Sequence, residues 1–241
     1  MPAEWSEPPG GFWGELTAQE RGALQAVATR VVFQTNTTLF FQDEPTEHVV
    51  VIWGGYAKVL SRNGSGHQVL LAIRGPGDLV GEFAGVDGGR RSATVEAIDT
   101  VRALLVGASA FRVFLERSPH ASTVLQRTLV QRLRDADKKR LSSASMAVGQ
   151  RLAELLLELA GRFGAPEGAG TRIGLALSQE DLAAYVGASR RAVAREIESW
   201  RDRGIVTTGR RNLLIHQPSA LERIAGIRNP GNWPRGANGT R

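Results

Sequence analysis

The feature that most limits what this chain can fold into is a double change of hydrophobic texture. From Val31 to Val106, apolar residues come in short β-type runs separated by turn residues. Leu39 to Phe41 is the first run, followed by His48 to Trp53, which Gly54 and Gly55 halt. Tyr56 to Leu60 and Gln68 to Ile73 flank Asn63-Gly64-Ser65-Gly66, a hairpin signal because Asn-Gly accepts positive φ. Gly75-Pro76-Gly77-Asp78 predicts another tight turn, and Thr94 to Ile98 and Val101 to Val106 close the series. Many short strands at regular spacing predict a sandwich or barrel.

On either side the pattern is helical. Leu16 to Arg30 reads as a short helix, with Thr17 as N-cap and Glu20 at capping-box spacing. Downstream, Ser109 is placed to cap a short helix over Phe111 to Glu116, and Ser118-Pro119 opens a long helix from His120 to Ser145. Its apolar residues Val124, Leu125, Leu129, Val130, Leu133 and Leu141 form one stripe, suited to pairing with another helix. The charged run Arg134 to Arg140 interrupts the stripe. It reads either as an exposed turn of helix or as a wet stretch of a dimer seam beside a ligand. Arg151 to Ala160 is a compact apolar helix and Gly164 to Gly170 a loop. Two short helices follow, then a hairpin of Ile205-Val206 and Leu213 to Ile215 turning at Gly209-Arg210-Arg211. The tail Arg228 to Arg241, rich in Gly, Asn, Arg and Pro, is expected to be disordered.

Composition removes several classes of function. The 241 residues contain no cysteine, which excludes disulfides, thiolate zinc sites, iron–sulfur clusters and thiol nucleophiles. No apolar run approaches the roughly 18 residues of a membrane helix, and Met1 to Gly14 has no apolar stretch, so a cytoplasmic address and no membrane partner are expected. The net charge is 30 − 24 = +6, unevenly placed. Residues 1–150 hold 16 basic and 15 acidic side chains, whereas residues 151–241 hold 14 and 9, every basic one an arginine. A local surplus of guanidinium fits a phosphate-bearing partner, because its planar donors bind phosphate bidentately.

Two constellations carry chemistry. The first is Gly77-Asp78-Leu79-Val80-Gly81-Glu82-Phe83, followed by Arg90-Arg91-Ser92-Ala93-Thr94-Val95. Arg91 can pair bidentately with a phosphate, and Ser92 adds a hydroxyl or backbone N–H. Glu82 accepts hydrogen bonds and suits a sugar hydroxyl. Together they imply a ligand that is part phosphate and part ribose. The competing reading is a Glu82–Arg91 salt bridge inside a β-roll with no ligand.

The second spans Leu177 to Trp200. Ser178 caps a helix with Asp181 three residues on, and Leu182, Ala183 and Val186 form its inner face. Gly187 permits a turn, Ser189 caps a second helix, and Val193, Ile197 and Trp200 point inward. Arg190, Arg191 and Arg195 are left on the outer face, the side that can enter a major groove. This is a helix-turn-helix, to be weighed against a plain helical hairpin in a bundle. The hairpin after it makes the unit winged, with Arg210 and Arg211 at a tip that either touches phosphate or merely covers the helices.

Both constellations resemble one family. Gly77 to Phe83 and Arg91-Ser92-Ala93-Thr94 are similar to the phosphate-binding cassette of cyclic-nucleotide-binding domains. Over residues 15–217 the chain resembles the CRP/FNR superfamily of bacterial regulators. The resemblance implies that Arg91 and Ser92 hold a cyclic phosphate, that Glu82 takes the ribose 2′-hydroxyl, and that Gly81 lets backbone approach. Gly55 matches a family glycine, and Asp43 stands where a turn glycine is usual, a tolerable change because Asp visits the left-handed region. In the cyclic-AMP-responsive type, adjacent Thr and Ser hydroxyls on the long helix touch the base. Here those positions are Ala136 and Asp137. Asp137 can accept from an adenine amino group, or from N1–H and N2 of guanine, or can pair with Lys138 or Arg140. Cyclic AMP is the first expectation, cyclic GMP the next, and a site unresponsive to nucleotide the third. In the second helix, Ser189, Arg190 and Arg195 match the family. Arg191 replaces a Glu, which predicts a different operator because Arg prefers guanine or phosphate. Gln179 is expected on phosphate.

The expected fold is therefore α+β. A cyclic-nucleotide-binding β-roll spans residues 15–118, a dimerisation helix 119–146, a winged helix-turn-helix 147–221 and a tail 222–241. The expected function is dimeric, sequence-specific regulation of transcription gated by a cyclic nucleotide. Duplex DNA with a near-palindromic operator, a second copy of the chain and RNA polymerase are the expected partners. The same fold could instead act without a ligand, answer a non-nucleotide effector, or serve as a nucleotide-binding subunit of another protein. No enzyme is expected: the chain has no nucleophile elbow, phosphate-binding loop or dinucleotide fingerprint. His48, His67, His120 and His216 fall in separate elements without metal spacing, so no metal is expected.

Overall fold

The computed structural model describes residues 5–227 apart from 46, 63, 65–67, 210 and 211. The chain divides into two compact units, Met1–Ala136 and Asp137–Arg241. No helix among the described residues is long and apolar enough to cross a membrane.

The first unit opens with helices α1 (Gly11–Glu15) and α2 (Ala18–Ala26). Eight strands follow: β1 (Ala28–Phe33), β2 (Thr38–Phe40), β3 (His48–Gly54), β4 (Ala57–Arg62), β5 (Gln68–Arg74), β6 (Leu79–Val80), β7 (Thr94–Ala97) and β8 (Val101–Gly107). A short helix α3 (Glu82–Asp87) lies between β6 and β7, and α4 (Ala108–Arg117) leads into α5 (Pro119–Ser145). The strands form two antiparallel sheets, ordered β1-β8-β3-β6 and β2-β7-β4-β5. Between them lies a core that includes Leu39, Phe40, Val50, Ile52, Ala57, Val80, Val95 and Ala103. The other face of β3, through Val49, Val51 and Trp53, packs on Phe12, Trp13, Leu24, Phe111, Val124 and Leu125. β3 is thus covered on both sides, which explains why Val49 to Trp53 is continuously apolar rather than alternating. Asp43 is left-handed at φ 67°, the conformation expected where a turn glycine is usual.

The long helix is anchored at its start by one carboxylate. Glu20 closes the expected capping box with Thr17, accepting from the Thr17 backbone N–H at 2.8 Å and its hydroxyl at 2.9 Å. The same carboxylate accepts from the Ala121 backbone N–H at 3.0 Å and lies 2.9 Å from His120 Nδ1. A single side chain therefore caps α2 and also satisfies an orphan donor in the first turn of α5. Burial pushes its carboxyl pKa up, but the hydrogen bonds from Thr17 and His120 outweigh that and hold it below the ordinary value.

Local expectations fail where distant pairing decides. The helix read over Leu16 to Arg30 stops at Ala26, because Ala28 to Arg30 pair with Leu104 to Val106 of β8. Ser109 does not cap α4, which starts from Gly107 with no side-chain cap. The stretch Gly164 to Gly170 is not a plain loop. It is a strand, β9, and the turn of a hairpin in the second unit, whose return strand pairs onward with the wing.

That second unit holds the last residues of α5, then α6 (Val148–Phe163), β9 (Gly164–Glu167), β10 (Gly170–Ile173), α7 (Gln179–Val186), α8 (Arg190–Asp202), β11 (Val206–Gly209), β12 (Asn212–Ile215) and α9 (Pro218–Ile224). Its sheet runs β11-β12-β10-β9, so the predicted hairpin is half of a four-stranded wing. Helix α9 reaches three residues into the segment expected as tail, and residues 228–241 lie outside the described residues.

The end of α5 is tied to this body by side chains. Ser142 Oγ donates to Glu154 Oε2 at 3.0 Å, and Arg151 Nη1 donates to the Met146 carbonyl at 2.9 Å. Lys139 Nζ sits 3.5 Å from the centre of the Tyr185 ring, and the Tyr185 hydroxyl donates to Glu158 Oε2 at 3.2 Å. Burial pushes the Lys139 ammonium down to about 8, although Glu158 opposes the shift.

Two predictions follow from these contacts. Glu20→Ala should lower the unfolding free energy by about 2–3 kcal/mol in chemical denaturation, since it strips several buried donors of a charged acceptor. The depressed carboxyl binds its proton later in the folded state, so this stabilisation is full above its ordinary pKa of 4.5 and fades as pH falls through the folded value. Lys139 moves stability in the same direction, in a higher pH window. Between pH 8 and its ordinary value of 10.5 the unfolded chain holds a proton that the folded chain has lost, so stability should rise with pH there. Thermal unfolding of Lys139→Met should lack that rise and begin at an equal or higher temperature at pH 7.

Candidate ligand cradle and nucleic-acid interface

The cradle is built where β6 ends. Gly81 takes a left-handed backbone at φ 78° and caps α3, whose first residue is Glu82. A Cβ at Gly81 would run into Arg91 Nη1 and close on the Phe40 ring, so the position needs glycine both for its φ and for the space the guanidinium fills. Arg91 is tied by its own backbone to the β2–β3 connection, through Asp43 N–H to Arg91 O and Arg91 N–H to Glu44 O, both 2.9 Å.

The Arg91 side chain is only 2% exposed. Nη1 donates to the Gly81 carbonyl at 3.1 Å and Nη2 to the His48 carbonyl at 2.6 Å. The guanidinium carbon lies 4.0 Å from the Phe40 ring centre, a cation–π contact. Its Nε is buried with no hydrogen-bond partner. Burial lowers its pKa, while Glu44, Glu82 and Glu47 oppose the shift. A guanidinium so held by neutral carbonyls and an aromatic face keeps its full charge for an incoming anion.

Glu82 is equally buried, but its partner is not Arg91. Its carboxylate pairs with Arg132 of α5, whose Nη2 also donates to the Leu79 carbonyl at 2.7 Å. The fold thus builds neither the bare Glu82–Arg91 salt bridge nor an open carboxylate. It clamps the cassette to the long helix through an ion pair whose side chains are 13% and 3% exposed. Ser92 is exposed beside Arg91. Gly81, Glu82, Arg91 and Ser92 are therefore drawn together around the β6–α3 turn. Asp137 is not part of that cluster: it belongs to the second unit, exposed, with Arg140 4.0 Å away. Arg132, Phe40 and His48 were not singled out from sequence. Arg132 precedes the charged run Arg134 to Arg140 and looks like any solvated residue of that helix, and only its pairing with Glu82 and the Leu79 carbonyl reveals its role.

The second site is set by helix caps. Ser178 and Asp181 form a reciprocal capping box, with Ser178 N–H to Asp181 Oδ2 at 2.9 Å and Asp181 N–H to Ser178 Oγ at 3.0 Å. Gly187 ends α7 at φ 64°, and Ala188 N–H reaches back to the Ala183 carbonyl. Ser189 Oγ then accepts from Ala192 N–H at 3.2 Å to start α8. Leu182, Ala183, Val186, Val193, Ile197 and Trp200 are buried, as the pattern predicts. Gln179, Ser189, Arg190, Arg191 and Arg195 are exposed. No acidic residue occupies the first turn of α8, and among the described residues none of Arg190, Arg191 and Arg195 is in an ion pair. Two arginines at the positive end of a helix dipole oppose it, whereas Glu180 and Asp181 suit the same end of α7. Arg190 and Arg191 therefore do not serve helix stability, and the cluster is an anion-seeking face. Arg210 and Arg211 lie outside the described residues.

Comparison with known proteins agrees with this geometry. Residues 30–118 match the cyclic nucleotide-binding domain family and residues 150–224 the Crp-like helix-turn-helix domain family. A CRP-like cAMP-activated global transcriptional regulator of Mycobacterium tuberculosis is 34% identical over 215 residues, covering 88% of this chain and 96% of its own. The cyclic AMP receptor protein of Thermus thermophilus is 26% identical over 214 residues, covering 87% and 94%. The structure of FixK2 from Bradyrhizobium japonicum shares the fold, with a TM-score of 0.72 at 22% identity over 82% of this chain and 97% of that one. A roll with a cyclic-nucleotide cassette, a long helix and a Crp-like helix-turn-helix thus occur in one polypeptide, and the chain belongs to the CRP/FNR superfamily of transcriptional regulators.

Proposed function

We propose that this regulator binds DNA as a homodimer whose affinity is raised by cyclic AMP seated in the roll. The observation that carries the reading is Arg91: a buried guanidinium with an unpartnered Nε, two residues' worth of carbonyl support and no carboxylate bonded to it. Such a group gains most from an acceptor-only anion such as a cyclic phosphate. Ser92 supplies a further donor, and the Glu82 carboxylate accepts from the ribose 2′-hydroxyl. That hydroxyl would join the pair Glu82 makes with Arg132, so the ligand acts on the contact that fastens the cassette to α5. Because α5 continues into the second unit, a change at Arg132 has a covalent route toward the DNA-binding body. Two relatives named for cyclic AMP support that nucleotide.

The dimer reading rests on α5. Val130, Leu133 and Leu141 are 47%, 62% and 69% exposed along its apolar stripe, which a second copy would cover. A two-fold dimer sets its recognition helices about 34 Å apart, in successive major grooves of a near-palindrome. Arg190, Arg191 and Arg195 then read base edges, with Arg191 favouring guanine, while Gln179, Ser189 and Arg210 fix register on phosphate. RNA polymerase is the proposed protein partner at such a promoter.

Isothermal titration with cyclic AMP and cyclic GMP tests the effector site. Wild type should bind cyclic AMP, and Arg91→Ala should lose about 100-fold or more in affinity through loss of charged hydrogen bonds. No binding of either nucleotide would contradict the reading. For the other end, fluorescence anisotropy on a duplex selected from random sequence should show Arg190→Ala with Arg195→Ala weakened and its preference for the selected sequence over a scrambled one relaxed. Nucleotide affinity of that variant should be unchanged.

A further inference from the structure

The cradle contains a second nitrogen without a partner. His48 opens β3, and its own carbonyl is the one that holds Arg91 Nη2. Its imidazole meets the Phe40 ring edge-on, with centres 6.2 Å apart and planes at 71°, while Arg91 covers the face of the same ring. Imidazole, phenyl and guanidinium thus form one packed group at the cassette. In that group His48 Nε2 and Arg91 Nε are both buried and both without a hydrogen-bond partner. Buried polar atoms are nearly always satisfied; Trp13, Trp53, Arg102 and Arg151 carry orphans too, but His48 and Arg91 hold theirs at the cassette, where a ligand oxygen could satisfy both.

We propose that His48 is a ligand-contacting residue of the cradle, its Nε2 donating to an oxygen of the bound anion alongside Arg91. The inference rests on the cyclic-nucleotide reading above and adds to it a residue of β3. It also gives binding a proton balance. The charged groups around His48 are Arg91, which disfavours the imidazolium, and Glu44 and Glu47, which favour it. Burial first, then Arg91, holds its pKa below the ordinary value, so the ring is neutral at pH 7 before the ligand arrives. A phosphate beside the ring favours the charged form. Binding therefore takes up a proton, and affinity rises as pH falls until the free protein's own His48 is protonated.

Titration calorimetry of the full chain with cyclic AMP, from pH 5.5 to 8.5 in two buffers of different ionisation heat, tests this. Wild type should bind about tenfold tighter at pH 6 than at pH 8 and should take up a fraction of a proton near pH 7, in keeping with one linked group. His48→Gln, which keeps an amide donor but cannot titrate, should still bind with neither the pH slope nor the proton uptake. His48→Ala should bind at least about tenfold more weakly than His48→Gln at pH 8, the loss expected of one hydrogen bond to a charged group. Wild type and His48→Gln with the same pH slope and proton count would overturn the role of His48 while leaving the effector reading intact. Wild type failing to bind cyclic AMP at every pH would overturn both.

Discussion

The roll is organised around a charge that it buries with no counter-charge in contact among the described residues. Arg91 reaches the space between Phe40, the Gly81 carbonyl and the His48 carbonyl, and each of those groups is present for a definable reason. Gly81 must lack a Cβ or the guanidinium has no room. Phe40 shields one face from water, and the β2–β3 connection is held to Arg91 by paired backbone hydrogen bonds. Burying a guanidinium this way is expensive in hydration. The protein offsets it with carbonyl dipoles and an aromatic quadrupole at contact distance, helped by the field of Glu44, Glu82 and Glu47. In the proposed mechanism the guanidinium charge is what the cyclic phosphate neutralises.

Glu82 completes the logic from the other side of Gly81. Its carboxylate is spent on Arg132, so the cassette and the long helix are fastened by a buried ion pair rather than by apolar packing alone. Removing one partner of such a pair is costly, whereas adding a hydroxyl to it is a small rearrangement. This suits a switch: a ligand touching Glu82 changes the balance at Arg132 without dismantling the interface. At the far end of α5 the attachment is different in kind, with Lys139 held against Tyr185 at a net electrostatic cost that its lowered pKa records. The arginines that begin α8 likewise sit against the helix dipole. The start of α8 thus carries charges that folding alone does not reward, the pattern expected where a polyanion completes the electrostatics.

What was legible in the sequence was whatever is decided within a few residues. The capping boxes of Thr17 and Ser178, the turn at Gly187 and the inward spacing of Val193, Ile197 and Trp200 are local geometry, and they stand in the structure as read. The cassette was legible because its four residues surround one turn. What distant segments supply was not. Arg132 and Phe40 lie tens of residues from Arg91 and gain meaning only through packing. The hairpin at Gly164 hides in a glycine-rich stretch because its stability comes from β12, over forty residues on. Even for Arg91 the residue type announced an anion site, while its burial against two carbonyls could not be foreseen from the chain order.

The proposed gating is an energetic coupling between roll and reading helix, and coupling is reciprocal. The most direct measurement is therefore the affinity for cyclic AMP of the free protein and of the protein saturated with a selected duplex, at one salt concentration. The account predicts tighter nucleotide binding on DNA, by roughly 5- to 150-fold and by the same factor by which the nucleotide tightens DNA binding. Equal nucleotide affinities with and without DNA would contradict it.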